Sequence, residues 1–387
     1  MSRIVTAAAI SALALSATAA GATQINTGGA DGAYNRTFCP PLSAELGKAK
    51  LDYKCTPSAG TKENMQRVAA DPRQIGFGQL DVMALEAEKM GGISQFTTLR
   101  SGDVRECLFA VTKNKAITNF GELAVQSAKL RFILPPEQSG SVGSFNFLRQ
   151  IDSEGLGTAK QITYAPSTDD AIKQALAAED TVTMFVQFPD PDNPRFKLIQ
   201  DLGGHIVPVL DRTVLRQQIG GEKVYFPQET QVANATWLKA GQTVVTACTP
   251  MVVFTGVTDK ITADKDKQDH RDVIATIKAL DEEVLMPKES MFSRVWKRTK
   301  ELSAQSAEQL ATYSEQAREQ AKPMLERAKE ATSKAMEAAR PTLEKAKEMG
   351  AQAYEKAKQE VKELMDKAQQ PAQAPTTPPA PATPPKQ

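Results

Sequence analysis

Between Thr23 and about Val257, short β-type runs alternate with helical ones, and this alternation restricts the fold more than any other feature of the chain. TQINTG reads as a strand. AYNRTFCPPLSAELGKA reads as mostly helix, with Pro40 and Pro41 interrupting it or starting a turn, and KLDYKCTPS returns as a strand. TKENMQRVAADP sets Met65 and Val68 one helical turn apart and stops at Pro72. RQIGFGQL, DVMALEAEKM and ISQFTTLRSGD continue as strand, helix and extended run. RECLFAVTKN and LRFILPP are strong strands, and GSVGSFNFLRQI turns from a glycine loop into a helix. QITYAPS, TDDAIKQALAAED and TVTMFVQFP form another β-α-β unit, and KLIQDL, HIVPVL and VTACTPMVVFTGV lead into the helix DHRDVIATIKALDEEVLMP. The pattern predicts an α/β fold with a mostly parallel sheet, helices on both faces, and two lobes joined by several crossings. At 387 residues the chain is long enough for this and a sizeable core.

The first residues point to export. Arg3 supplies a positive start, Ile4 to Leu15 an apolar stretch too short to span a bilayer, and SATAAGA the small residues of a cleavage region. Residues 1–22 read as a signal peptide cut near Ala19 or Ala22, which places the chain in a periplasm. In an oxidising compartment, Cys39, Cys55, Cys107 and Cys248 are candidates for two disulfides, although four cysteines allow three connectivities. Sequence-local pairing would join Cys39 with Cys55 and leave Cys107 with Cys248. No C-x-x-C spacing occurs, which argues against zinc knuckles and thioredoxin chemistry.

Composition changes near Ser290. From Val295 to about Gln369 the chain is rich in Ala, Glu, Lys, Gln and Met, with high helix propensity. KPMLERAKEATSKAMEAA is followed 18 residues on by RPTLEKAKEMGAQAYEKA, an offset of five helical turns. Leu325, Ala328, Met336, Leu343, Ala346, Tyr354, Val361 and Leu364 therefore recur on one narrow apolar stripe, closer to a helix–helix (coiled-coil) seam than to a membrane-embedded face. The expected organisation is a two-lobed core over 23–291, with lobe 1 at about 23–110 plus 245–291 and lobe 2 at about 111–244. A helical extension follows over 292–369 and a disordered, proline-rich tail over 370–387.

Several activities find no support in the residues. Lys plus Arg total 47 against 46 for Asp plus Glu, so no basic surplus suggests nucleic acid. Only His205 and His270 exist, without the clustered ligands of a zinc enzyme. GSVGS is not the G-x-S-x-G elbow of a serine hydrolase. The chain is not expected to be an enzyme or to hold a metal or cofactor. The loop with Gly28, Gly29 and Gly32 follows a strand and precedes a helix, where glycines allow close backbone approach and helix amides can meet an anionic or carbonyl oxygen. Its G-G-x-x-G spacing departs from the dinucleotide fingerprint. Arg100, Arg105, Arg131 and Arg149 are candidates to clamp a carboxylate, Arg100 or Arg105 first.

TGGADGAY is similar to the TGG-x-x-G-x-YY opening of the TAXI-type solute-binding subunits of TRAP (tripartite ATP-independent periplasmic) transporters. TPSAGTKENMQRVAADPRQIGFGQLDV, GSVGSF and DDAIKQALAAEDTVTMFVQFPDPDNP resemble later segments of that family in the same order, over roughly Thr23 to Met291. The resemblance implies a two-lobed type II periplasmic binding protein that closes on a small organic acid or amino acid and delivers it to a membrane permease. The matching ligand-binding positions are Gly28, Gly29 and Tyr34, then Ser58, Gly60 and Thr61, then Gln79 and Asp81, with Ser141 and Ser144 from the other lobe. Asn35 stands where the family has a second Tyr, Cys39-Pro40-Pro41 intrudes on the first helix, and the helical extension is no part of the family plan. The alternative is a binding-protein core kept as a scaffold. Its extension would then mediate self-association or meet an envelope partner.

Overall fold

The computed structural model describes residues 22–190, 192–233, 241–285, 300–301, 311–312 and 314–319, with single positions at 323, 330, 334, 337 and 341. The expected signal peptide up to residue 21, the proline-rich tail and nearly all of the 18-residue repeat lie outside them. The chain divides into two compact units, 1–322 and 323–387.

In the first unit the chain begins with β1 (Thr23–Asn26) and, after the glycine loop, a π-helical turn at Tyr34–Phe38. That turn runs directly into α1 (Cys39–Lys48), where a proline occupies the first turn. Pro40 and Pro41 have no amide with which to extend the π-type bonding that ends at the Cys39 N–H, so the prolines mark the change from the π-helical turn to the α-helix instead of breaking the helix. Then come β2 (Tyr53–Thr56), α2 (Thr61–Ala70), β3 (Ile75–Gln79) and α3 (Leu80–Lys89). β4 (Phe96–Thr112) is a single strand of 17 residues, fusing the two extended runs read separately from ISQFTTLRSGD and RECLFAVTKN.

The second lobe holds α4 (Phe120–Gln126), β5 (Arg131–Leu134), α5 (Gly140–Ile151), β6 (Gln161–Tyr164), α6 (Thr168–Ala175) and β7 (Thr181–Gln187). It continues with α7 (Pro194–Asp201), β8 (His205–Pro208), α8 (Arg212–Leu215), the short pair β9 (Gln218–Ile219) and β10 (Glu222–Lys223), and β11 (Phe226–Ala233). β12 (Gln242–Gly256), 15 residues long, returns to the first lobe and leads to α9 (Asp264–Ala279) and α10 (Glu282–Leu285). β13 (Lys300–Glu301) adds to the edge of β11.

The strands form one continuous sheet in the order β2-β1-β3-β12-β4-β7-β5-β6, with β11 on β12 and β8 on β4. A mostly parallel sheet holds only within the lobes, where β1–β2, β1–β3, β5–β6 and β5–β7 are parallel. β4 and β12 are antiparallel to each other and to the lobe strands they meet, β7 and β8 for β4, β3 for β12, and this makes the sheet mixed. The physical reason lies in their connections, because both strands carry the chain between lobes, against the direction of the β-α-β strands.

At the crossing, Cys107 of β4 lies opposite Cys248 of β12 and the two form a disulfide, with Cα atoms 3.9 Å apart. Cys39 and Cys55 form the second disulfide, tying α1 to β2. Separate cores flank the crossing. Ile25, Phe38, Leu42, Phe77 and Val253 anchor the first lobe; Phe132, Phe145, Leu148, Met184 and Tyr225 anchor the second.

Residues 311–312 and 314–319 are helical and pack on the second lobe. Ala311 and Ser314 are buried, and Gly121 of α4 leaves room for the Ser314 carbonyl that any Cβ would overlap. Arg318 bonds Asp152 at 3.0 Å and lies 3.7 Å from Asp211, while Arg212 reaches Glu315 and Thr312. In the second unit the five described positions are helical, and Glu330 pairs with Lys334 at 2.8 Å, one turn away. Among the described residues no helix is long and apolar enough to cross a membrane.

Candidate functional site

The loop after β1 is held by its own polar residues. Gly32 N–H donates to the Gly29 carbonyl at 2.8 Å, and Asn64 of α2 donates to the Thr27 carbonyl. Asn35 accepts from the Thr27 hydroxyl at 3.1 Å and donates to the Ala30 carbonyl at 3.0 Å. It therefore acts as a brace of the loop. Tyr34 stacks on Phe77 with ring centroids 5.5 Å apart and meets the edge of Phe188, which reaches over from the end of β7.

The second loop enters α2 through Gly60, whose φ of +136° is a conformation that only glycine adopts without strain. Ser58 links the two loops, with its N–H on the Gly28 carbonyl and its hydroxyl accepting the Gly60 N–H. Gln79 stands where β3 passes into α3 with no loop between. Its N–H donates to the Thr61 hydroxyl, and its side chain also bonds Glu106 of β4. From the second lobe, Ser139 caps α5, and the Ser141 hydroxyl accepts the Val186 N–H of β7 at 3.0 Å. Gly140 allows Gln79 to lie against the start of α5, since any Cβ there would overlap the Gln79 amide.

These pieces enclose a cleft of about 650 Å³. Gly28, Gly29, Tyr34, Gly60, Thr61, Gln79 and Ser141, named from the sequence, all line it. The cleft lies at the carboxyl ends of β1, β3 and β7, where ligands sit in open α/β sheets. A second cavity, of about 610 Å³, opens at the amino ends of β1, β2 and β3.

The other named residues are placed elsewhere. Ser58 supports the loops from behind. Asp81 is fully buried at the start of α3, where it accepts the Tyr225 hydroxyl at 2.8 Å, and Ser144 is buried one turn into α5 beside it. Arg100 donates to the Ile277 and Leu280 carbonyls. It lies at the far end of β4, outside the cleft. Arg105 spreads its guanidinium over the Phe226 ring at 3.8 Å and is not among the lining residues either. Arg131 pairs with Asp180 at 2.8 Å on the surface, and Arg149 donates to the Ala159 carbonyl.

Sequence reading missed Glu106, Gln187, Phe188, Asp190 and Arg195, all of which line the cleft. A carboxylate inside the apolar run RECLFAV was the available signal, because charge in a central strand is rare without a partner. Glu106 is 8% exposed and accepts the Tyr34 hydroxyl at 2.9 Å. Burial pushes its carboxyl up to about 7; the bonds from Gln79 and Tyr34 oppose the shift, and the Asp81 charge adds to it. Burial, and then the Glu106 charge, hold the Tyr34 hydroxyl well above the ordinary range.

Arg195 bonds Asp169 at 2.7 Å and the Gln187 amide oxygen at 2.9 Å, and Arg36 pairs with Asp31. Two buried amide atoms of lining residues, Gln79 Oε1 and Gln187 Nε2, have no hydrogen-bond partner among the described residues. Nor does any cluster of His, Cys, Asp and Glu among them have the makings of a metal site.

The arrangement is an α/β protein with a curled mixed sheet, helices packed on it and a ligand-sized cleft at the carboxyl ends of its strands. Among solved structures, the chain is similar to a periplasmic transporter (TM-score 0.39, 11% identity, 79% of this chain and 96% of that one). It is also similar to the periplasmic binding protein BugD (TM-score 0.38, 14% identity, 79% and 97%) and to a TctC solute-binding protein from Polaromonas (TM-score 0.38, 11% identity, 79% and 98%). At this distance neither ligand nor partner carries over. No family model matches the chain, and no curated protein matches it either.

Proposed function

We propose that the protein is an exported, periplasmic solute-binding protein of the TAXI type. It captures a small organic acid or amino acid between its lobes and delivers it to a TRAP-type permease. One observation carries the reading: loops from both lobes that the motif resemblance marks, with Gly28, Thr61, Gln79 and Ser141 among them, border a single cleft of about 650 Å³. That volume suits a small solute. β4 and β12 form the hinge, and closure about them is the usual motion of such proteins. Gly28 and Gly29 bring backbone close to the ligand, Thr61 and Ser141 offer hydroxyls, and Tyr34 and Gln79 form the floor. Ser58, Asp81 and Ser144 support these groups from behind.

The test is mass spectrometry of small molecules released from protein purified out of its own cell envelope, followed by thermal-shift titration of each compound found. A saturable rise in Tm with one of them is the expected result. Absence of any released solute, together with no shift from a broad panel of acids and amino acids, refutes the receptor reading.

A further inference from the structure

The chemistry of the cleft floor narrows the ligand. Glu106 and Gln79 side by side present acceptors, and the Gln79 Oε1 is buried without a partner among the described residues, in a residue only 5% exposed. Around them, the lining guanidiniums of Arg36 and Arg195 stand beside the lining carboxylates of Asp31 and Asp169. Each guanidinium is already bonded to one of those aspartates. The arginines expected to clamp a carboxylate, Arg100 and Arg105, are turned to the Ile277 and Leu280 carbonyls and to Phe226. A dianion seated on this floor would meet the buried Glu106 carboxyl, which no cation among the described residues balances. An ammonium, with three donors and one positive charge, would satisfy both floor acceptors.

We infer that the cleft selects a solute carrying a primary amine, seated with its ammonium on Glu106 and Gln79 Oε1, and rejects organic acids that lack one. Across the cleft, the buried Gln187 Nε2 is a donor that suits a carbonyl or carboxyl oxygen at the ligand's other end. The inference rests on the receptor reading above and specifies its ligand.

Binding is then linked to the charge on Glu106. The groups that face it are Tyr34 from the helical turn, Gln79 from the end of β3, Asp81 from α3 and Thr249 from β12. Among the described residues none of them is a cation, so the ligand's ammonium would be the charge that holds Glu106 ionised.

The experiment uses the purified full-length protein and matched pairs of probes: glutamate with glutarate, 4-aminobutyrate with butyrate, and putrescine with 1,4-butanediol. Thermal shift screens the pairs and calorimetry measures those that respond. The amine-bearing member of at least one pair should bind at least tenfold tighter than its partner. Its affinity should fall as pH drops below about 7, approaching tenfold per unit. Glu106→Gln, which keeps shape and removes the charge, should weaken the amine at least tenfold and flatten that dependence. Binding of glutarate or butyrate equal to or tighter than the amine, and strengthening at low pH, overturns this inference and leaves the receptor reading intact. If no compound of either kind binds, both fall. The wild-type pairs decide the matter even if the variant does not fold.

Discussion

The two lobes meet the cleft with surfaces of opposite character. The first lobe brings Tyr34, Gln79 and Glu106, a buried set whose acid has no cationic partner, and whose amide oxygen has no donor, among the described residues. The second lobe brings groups largely satisfied among themselves, Gln187 Nε2 excepted: Ser139 caps its helix, Ser141 holds a β7 amide, and Arg195 is shared between Asp169 and Gln187. A surface left electrically unbalanced is suited to choosing a ligand, since the ligand restores the balance. A surface already balanced is suited to keeping its shape while it moves. On this reading recognition resides chiefly in the first lobe, and the second acts as the closing face.

The largest expected effect concerns what joins the two faces. Replacing Cys107 and Cys248 together by Ser opens a loop spanning 141 residues. It should lower stability by about 5 kcal/mol on the chain-entropy account, against about 3 kcal/mol for the 16-residue span of Cys39 and Cys55. Urea unfolding of both variants measures the difference, and equal losses would contradict the account.

Next comes pH. The folded value of Glu106 is raised from an ordinary 4.5 to about 7, so folding favours its protonated form. Its contribution to stability is full below about 4.5 and is lost as pH rises through about 7, a change of about 3 kcal/mol over that window. The unliganded protein should therefore be less stable at pH 8 than at pH 5 with respect to this group. Glu106→Gln should remove that part of the slope in urea midpoints taken across the range. A slope unchanged in the variant would place the unbalanced charge elsewhere.

Behind the second lobe, Arg318→Ala would leave Asp152 and Asp211, both under 5% exposed, without their cation. Asp152 still receives the Leu156 N–H and Asp211 that of Thr213, so a loss of about 2 kcal/mol is expected. Hydrogen exchange should show the change in α4, α5 and α8 and leave the first lobe as it was. The smallest effect is expected from Ser141→Ala, which strips an acceptor from the Val186 amide at a cost of about 1 kcal/mol. Ligand affinity should change less with Ser141→Ala than with Glu106→Gln; the reverse order would shift recognition to the second lobe.

The fold and the cleft were legible in the sequence to different depths. Gly28, Gly29, Gly60, Thr61 and Ser141 sit at strand–loop–helix junctions, where local pattern suffices to locate a residue at a sheet's carboxyl edge. Glu106, Gln187 and Arg195 could not be found that way, because their place depends on register across β12, β4 and β7. Arg100 shows the same limit from the other side. Reading β4 as two runs brings Arg100 close to the crossing, but as one strand it lies six residues before Glu106, roughly 20 Å away along an extended chain. The mostly parallel sheet fails for a related reason. Local pattern marks strands well, but direction belongs to the connections, and the two longest strands run against the rest.

Cys107 and Cys248 bracket nearly the whole second lobe. A protease that severs the backbone anywhere from 108 to 247 would therefore produce two pieces that still travel as one molecule, separating on a gel only after a thiol is added. Wherever proteases are abundant, such a nicked chain would keep both halves of its crossing in register.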